Sequence, residues 1–244
     1  MKPIFAAADH RLIKAESGTL VWSEPLPAGG RAVVKLYRRR PLHDPLRRLF
    51  TPYRAEREFR ILELLHRRGV ACPEPLGWSH GRDRVHGRHE RLATRELENA
   101  VPLFDLLAGG AAAPGLAPLF GLARKMHECG VVHGAFYPRN VLVTGPAAAP
   151  AFHLIDFAHG RLFRSSVVGR RPGDNDLLDM LQTIARQAPV DGAAGWLEGY
   201  GLSRPQAQAL LGRLPHHRIE RPWRHFRRIA VDTLAIADRA RLGG

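Results

Sequence analysis

Val131-Val132-His133-Gly134-Ala135-Phe136-Tyr137-Pro138-Arg139-Asn140-Val141-Leu142-Val143, followed after a turn by Phe152-His153-Leu154-Ile155-Asp156-Phe157, decides how this chain is read. The order is apolar strand, polar loop, apolar strand, turn, and a third apolar strand that ends in a carboxylate. That layout predicts the Asn140 amide and the Asp156 carboxylate at neighbouring strand ends. Two hard oxygen ligands side by side suit Mg²⁺, which keeps several waters and completes its shell with substrate phosphates. Taken singly, each residue has a plainer reading: Asn140 as a turn amide ahead of a strand, and Asp156 as a strand-end cap.

Upstream, residues 116–129 read as a helix. Leu116, Leu119, Phe120, Ala123 and Met126 form its apolar stripe, and Gly130 stops it. A small-residue loop, residues 109–115, precedes it, and residues 101–108 are expected to be a short helix. Nearer the N-terminus, residues 10–24 look like a hairpin around Glu16-Ser17-Gly18. After a Pro27-Ala28-Gly29-Gly30 turn comes Arg31-Ala32-Val33-Val34-Lys35-Leu36-Tyr37, a buried-type strand carrying one lysine. Residues 54–68 read as a helix ended by Gly69, with Glu58 on the same face as Ile61, Leu62 and Leu65. Residues 79–89 read as a polar loop and residues 91–97 as a short strand. Beyond Asp156, helices are expected over residues 177–186, 203–214 and 222–241.

The 244 residues, 45% hydrophobic, suffice for one large domain or two small lobes. Cys72 and Cys129 are far apart and lack metal-ligand spacing, which predicts reduced thiols in a cytoplasmic protein. The first residues lack a signal-peptide core, and no stretch approaches the roughly 18 apolar residues of a membrane span. The net charge of +14 is concentrated in two arginine runs, Arg38 to Arg60 and Arg218 to Arg228. An anionic partner, such as a glycolipid or membrane surface, is one reading of them; arginine used wherever lysine would serve is the other. Interleaved stacking aromatics are missing from these runs, which counts against RNA.

The spacing from His133 to Asn140 and then to Asp156-Phe157 resembles the catalytic loop and metal-binding aspartate of protein-kinase-like phosphotransferases. Val33-Val34-Lys35-Leu36-Tyr37-Arg38-Arg39, Arg57-Glu58-Phe59-Arg60-Ile61-Leu62 with Gly69-Val70 and Pro73-Glu74-Pro75-Leu76, and His133-Gly134 with Asn140 narrow the resemblance. Together they are similar to the bacterial lipopolysaccharide core kinases, which phosphorylate Kdo or heptose, and the likeness runs over residues 14–181. It implies an α+β bilobal fold, with a β-rich N-terminal lobe over residues 1–98 and a compact helical lobe over residues 99–244. It also implies ATP and Mg²⁺ as cofactors, and a sugar hydroxyl of an anionic glycolipid as acceptor. The expected location is the cytoplasm, peripheral at the inner face of the inner membrane.

Carried onto this chain, the resemblance makes Lys35 the contact to the α- and β-phosphates and Glu58 its partner. A carboxylate at the edge of an apolar face needs a cation, and local pairing with Arg54 is the alternative. Asn140 and Asp156 become Mg²⁺ ligands. Backbone amides at Ser17, Gly18 and Thr19 would lie over phosphate, although with one glycine the segment reads equally as an ordinary hairpin turn. The linker at Glu96 and Glu98 would meet the adenine. His133 becomes an anchor of the loop rather than a general base. Asp176 would either cap the next helix or hydrogen-bond the loop backbone.

One position departs from the pattern. Ala135 stands where such kinases carry the catalytic aspartate, which accepts the acceptor's proton and orients it. The sequence therefore supports two function classes: a phosphotransferase, and a nucleotide-binding pseudokinase that regulates a partner.

Overall fold

The structure, a computed structural model, describes residues 9–16, 18–38, 53–84, 86–109 and 115–219. Period-two alternation builds its first sheet. Strands β1 (Arg11–Glu16), β2 (Thr19–Pro25) and β3 (Arg31–Arg38) pair antiparallel in sequence. In β3, Ala32, Val34 and Leu36 are buried on one face, where they join Leu20 and Trp22 in a small satellite core. Val33, Lys35 and Tyr37 alternate to the other face, toward helix α1 (Arg54–Arg67).

Helix α1 buries Ala55, Glu58, Ile61, Leu62 and Leu65 and ends just before Gly69, whose φ of 66° supplies the left-handed turn. Its N-cap, Tyr53, makes no side-chain cap bond. Instead Glu90 accepts the Ala55 amide at 2.8 Å, which places a carboxylate against the positive end of the helix.

Strands β4 (Pro75–Asp83) and β5 (Gly87–Arg95) complete the sheet in the order β1-β2-β3-β5-β4. This corrects the loop expected over residues 79–89. A regular hairpin runs through it, with Ser79 opposite Arg91, His80 opposite Glu90 and Gly81 opposite His89. Backbone pairing extends β5 along β3 as far as Arg38–His89. No apolar alternation marks these residues because most of their side chains face solvent.

Val101–Pro102 forms the short strand β6 rather than the start of a helix, because Val101 and Pro102 pair with Val143 and Leu142; helix α2 follows at Leu103–Ala108. Helix α3 (Ala117–Glu128) buries Leu119, Phe120, Ala123 and Met126 as the stripe predicts. Then come β7 (Val131–Val132), β8 (Val141–Thr144), β9 (Ala151–Leu154) and β10 (Arg161–Leu162). Strand β8 pairs with β6 and β9, and β7 pairs with β10.

Helix α4 spans Arg171–Ile184, several residues earlier than expected, since Pro172 suits the first turn of a helix. Helix α5 (Ala193–Gly199) was not expected; Gly195 and Gly199 mask its pattern, yet Leu197 and Tyr200 are buried in the core beside α3. Helix α6 (Arg204–Gly212) starts at a capping box in which Gln206 accepts the Ser203 amide at 2.8 Å.

One main core joins Tyr37, Ile61 and Leu65 to Phe120, Leu154, Phe157 and Leu177, so the sheet with its helix and the helical remainder share a seam. No helix among the described residues is long and apolar enough to cross a membrane. Residues 222–241, Arg39, Arg40, Arg47, Arg48 and most of the C-terminal arginine run lie outside the described residues. Within α1 the arginines are engaged internally: Arg57 donates to the Ala158 carbonyl at 2.6 Å, and Arg60 pairs with Glu56 at 2.5 Å.

Candidate active site

Three charged side chains meet at the seam. Lys35 Nζ donates to Glu58 Oε1 at 3.0 Å and to Asp156 Oδ1 at 2.7 Å. The Tyr37 hydroxyl donates to the other Glu58 oxygen. The Glu58 side chain is 2% exposed and that of Lys35 17%, so both charges are largely out of water. Burial alone would lower the Lys35 pKa; Glu58, then Tyr37 and Asp156, reverse this and hold the ammonium charged far above its ordinary range. Burial would likewise push the Asp156 carboxyl up, but Lys35 outweighs it and holds Asp156 well below the usual carboxylate range. Arg54, the alternative partner for Glu58, instead lies over the Tyr37 ring at 4.3 Å from its centroid.

Asp156 takes a left-handed backbone, φ 62° and ψ 61°. Aspartate tolerates this region better than most residues, and such conformations gather at ligand sites. The turn sits where β9 ends and the Phe157–His159 3₁₀ turn packs under α1. Asn140 closes a second 3₁₀ turn, Pro138–Asn140. Its carbonyl accepts the Ile155 amide at 3.0 Å, which ties it to the residue beside Asp156. Its Nδ2 donates to the Ala135 carbonyl at 2.8 Å, so Oδ1 is the side-chain atom left to face a cation. An amide oxygen and an ionised carboxylate with a second oxygen to offer are a donor set that fits Mg²⁺.

Below these groups lies a buried scaffold. His133 is fully buried, with its ring 4.5 Å from Phe157 and 5.9 Å from Phe136, centroid to centroid. Its Nε2 donates to the Ile155 carbonyl at 2.9 Å, while Nδ1 is buried with no hydrogen-bond partner among the described residues. Burial lowers its pKa, so the ring is neutral and anchors the loop.

Asp176 accepts from the His133 amide at 2.6 Å, the Gly134 amide at 3.0 Å and His127 Nε2 at 3.2 Å. The other ring nitrogen of His127 meets the Tyr200 hydroxyl at 2.8 Å. Asp176 therefore holds the loop backbone; it is no cap, since α4 begins at Arg171 and Asp176 lies in its second turn. Gly134 completes the fit. Its φ is 71°, and a Cβ there would stand 2.5 Å from the His159 carbonyl oxygen.

A pH prediction follows from His133. An unfolded imidazole titrates near pH 6.5, and the folded one lower. As pH falls below that value the unfolded state takes up the proton first, so the stability supplied by a neutral His133 is progressively lost. Urea unfolding of His133→Asn and wild type, compared at about pH 7.5 and about pH 5.5, should show the shallower decline in the variant, by about 1 kcal/mol. Equal declines would show that His133 is charged in the fold.

Ser17 lies outside the described residues. Gly18 and Thr19 form the tip between β1 and β2. The Arg38 amide donates to the Gly18 carbonyl at 2.9 Å and Thr19 pairs with Tyr37, which places the tip two residues along β3 from Lys35. Glu96 and Glu98 follow β5 and line an open cavity with Arg11, Arg31 and Asn99. The Glu96 amide donates to the Arg31 carbonyl at 2.8 Å, and its carboxylate accepts from Arg11, Ser23 and Arg31. Lys35, Glu58 and Asp156 thus meet directly and Asn140 is joined to the same turn, whereas Glu96 is bound by a separate set of partners.

Sequence reading passed over three supports of the site. Tyr37 was detectable, being two residues beyond Lys35 and so on its face. His127 was detectable as a polar residue four positions beyond Ala123 on the apolar stripe of α3. Arg57 carried no signal, because its partner is a backbone carbonyl distant in sequence.

A sequence model described as the lipopolysaccharide kinase (Kdo/WaaP) family matches residues 15–192. A 3-deoxy-D-manno-octulosonic acid kinase from Actinobacillus succinogenes is 29% identical over 101 residues, which is 41% of this chain and 42% of that relative. The aligned stretch therefore spans less than half of the relative's length. Among solved structures, WaaP in complex with acyl carrier protein superposes with a TM-score of 0.60 at 16% identity, over 84% of this chain and 86% of that one. The Rio2 kinase–ADP/Mg²⁺–phosphoaspartate complex from Chaetomium thermophilum superposes with a TM-score of 0.51 at 17% identity, over 96% and 71%. The fold is thus the α+β protein-kinase-like fold expected from the sequence.

Proposed function

The chain belongs to the lipopolysaccharide kinase (Kdo/WaaP) family, and from that premise we propose that it transfers the γ-phosphoryl group of ATP to a sugar hydroxyl of lipopolysaccharide core or a related anionic glycolipid. The cleft lies between lobes spanning residues 1–98 and 99–244. The observation that carries the reading is the convergence of Lys35, Glu58 and Asp156, drawn from a strand, a helix and a left-handed turn.

In this reading Lys35 steadies the α- and β-phosphates. Glu58, held from the other side by Tyr37, keeps the ammonium at that position. Asn140 and Asp156 hold Mg²⁺, which neutralises charge on the phosphates and orients them. Asp176 and His133 fix the loop that carries Ala135 and Asn140. The acceptor approaches over that loop, and an anionic headgroup would meet a chain of net charge +14. We place the protein at the cytoplasmic face of the inner membrane, where such an acceptor is made.

Ala135 favours a second reading, a nucleotide-binding pseudokinase. It is 6% exposed on the catalytic-type loop and supplies no base. The experiment has two parts. Mg²⁺-ATP at about 100 times its Kd should stabilise the fold by about 2.7 kcal/mol, read as a rise in Tm, and ATP without Mg²⁺ should do less. ADP release that needs added core sugar or glycolipid supports the enzyme; a Tm shift with no ADP release under any acceptor supports the pseudokinase. No Tm shift at all overturns both.

A further inference from the structure

The hairpin β4–β5 carries a second cluster of chemistry-bearing side chains that the phosphotransferase reading does not use. Asp83 is the last residue of β4, His86 lies in the turn, and His89 is the third residue of β5. The spacing Asp-x-x-His-x-x-His brings three potential ligand atoms within 4.8 Å of one another. We propose that Asp83, His86 and His89 form a Zn²⁺ site on the hairpin, with the fourth position open to solvent.

The geometry is close to what zinc needs. With Zn–N and Zn–O bonds of about 2.0–2.2 Å, the edges of a tetrahedral ligand set measure about 3.3–3.5 Å. Asp83 Oδ2 lies 3.0 Å from His86 Nδ1 and 3.5 Å from His89 Nδ1. The two rings stand edge to face, 73° apart with centroids separated by 5.8 Å, so they do not stack on each other. His89 is 7% exposed, and its Nδ1 lies 3.1 Å from the Gly87 carbonyl, a contact that ligation through this nitrogen replaces. Gly81, opposite His89, makes room for its ring, since a Cβ there would sit 3.3 Å from Nε2. The Asp83 Oδ1 atom accepts the His86 amide at 2.5 Å, a bond that orients the carboxylate in the way second ligand-side contacts do at metal centres.

The ligand chemistry selects the ion. Two imidazoles and one carboxylate suit Zn²⁺, and they suit Mg²⁺ poorly because it prefers an all-oxygen shell. The site is distinct from the cleft. Gly81, Asp83 and His89 project from the face of the sheet that carries the satellite core, whereas Lys35 and Glu90 point to the α1 face.

A plainer account gives Asp83 only the task of tying off the turn by binding the His86 amide and ring. In that account the backbone ladder from Ser79–Arg91 to Asp83–Gly87 holds the outer hairpin. Its cross-strand pairs are polar, and Arg82 stands directly opposite Arg88, a destabilising like-charge pair. A cation shared by both strands and the turn would add a further tie across this polar end of the hairpin. Arg91 lies 3.9 Å from Asp83 Oδ2, but it is 44% exposed and can swing into water as the cation enters.

The test uses the full chain, stripped with chelator and titrated with Zn²⁺ in excess Mg²⁺ against a chromophoric competitor. One zinc per chain is expected. His86→Ala and His89→Ala should each weaken it by about 100-fold or more, above the 10–100-fold cost of losing an outer-shell partner. Asp83→Asn, which keeps an oxygen for the His86 amide, should weaken it less while leaving the apo Tm near wild type. Co²⁺ in place of Zn²⁺ should give the intense visible bands of a tetrahedral centre. Absence of stoichiometric zinc, binding that persists in both histidine variants, or the pale spectrum of octahedral cobalt would each overturn the site. Should His89→Ala unfold the hairpin, His86→Ala and Asp83→Asn decide the matter, because both side chains lie at the tip.

Discussion

Ala135→Asp is expected to raise ADP release with Mg²⁺-ATP and acceptor by about 10²–10⁴-fold, the span that a positioned general base contributes. The loop is already built for the replacement. Asp176 holds the His133 and Gly134 amides, and Asn140 Nδ2 holds the Ala135 carbonyl, so the backbone at residue 135 is fixed from both sides. A carboxylate placed there can orient the acceptor hydroxyl and take its proton. Wild-type turnover is then slow and rests on positioning and charge neutralisation, which a loose phosphoryl-transfer transition state permits. Asp156→Ala is the internal control. Added to Ala135→Asp it should return the rate to background, because a base without the metal ligand has no phosphoryl group to work against. If wild type releases no ADP and Ala135→Asp does, the native chain is the pseudokinase. If Ala135→Asp leaves a measurable wild-type rate unchanged, proton removal does not limit it and the acceptor approaches from elsewhere.

How much of this was legible before the structure depended on how local each signal was. Strand β3, helix α1 and helix α3 announce themselves by period, and the loop from His133 to Asn140 does so by spacing. Glu58 could be chosen over Glu56 because three apolar residues share its helix face. Glu56 duly pairs with Arg60 one turn on, while Glu58 is buried against Lys35.

What stayed hidden was held by partners distant in sequence. The hairpin β4–β5 has polar side chains on an ordered backbone, and its order comes from pairing with β3, more than fifty residues upstream. Helix α5 is broken up by two glycines, of which Gly195 has open space around it and Gly199 meets α3. A Cβ on Gly199 would come within 2.9 Å of the Ala117 carbonyl oxygen, so that glycine is a packing requirement disguised as a helix breaker. Asp176 could be read as a cap because capping is the local option for an aspartate near a helix start; the loop amides that it accepts lie 43 and 42 residues away.

Lys35→Met is expected to cost about 3 kcal/mol of folding stability, the lower end of the range for breaking a buried ion pair, and thereby to lower Tm by about 6–12 °C for a chain of this size. Glu58 is the reason. Its side chain is 2% exposed and would lose the ammonium at 3.0 Å, leaving a carboxylate out of water with the Tyr37 hydroxyl as its remaining close partner. That hydroxyl keeps the cost from the top of the range.

Glu58→Gln should cost less, about 1–2 kcal/mol, because Lys35 retains the ionised Asp156 as its partner at 2.7 Å. The double variant Lys35→Met/Glu58→Gln should recover most of what Lys35→Met loses, since the carboxylate at position 58 is then gone and Asp156, the other partner of Lys35, is 38% exposed and can be solvated. Urea unfolding of the four proteins at neutral pH reads the coupling directly. Strict additivity would mean that the two groups do not sense each other and would dissolve the pair on which the proposed nucleotide site rests. The double variant also separates folding from binding. Restored in stability but without its ammonium, it should lose most of the Tm rise that Mg²⁺-ATP gives wild type. A full rise would show that nucleotide binds without Lys35.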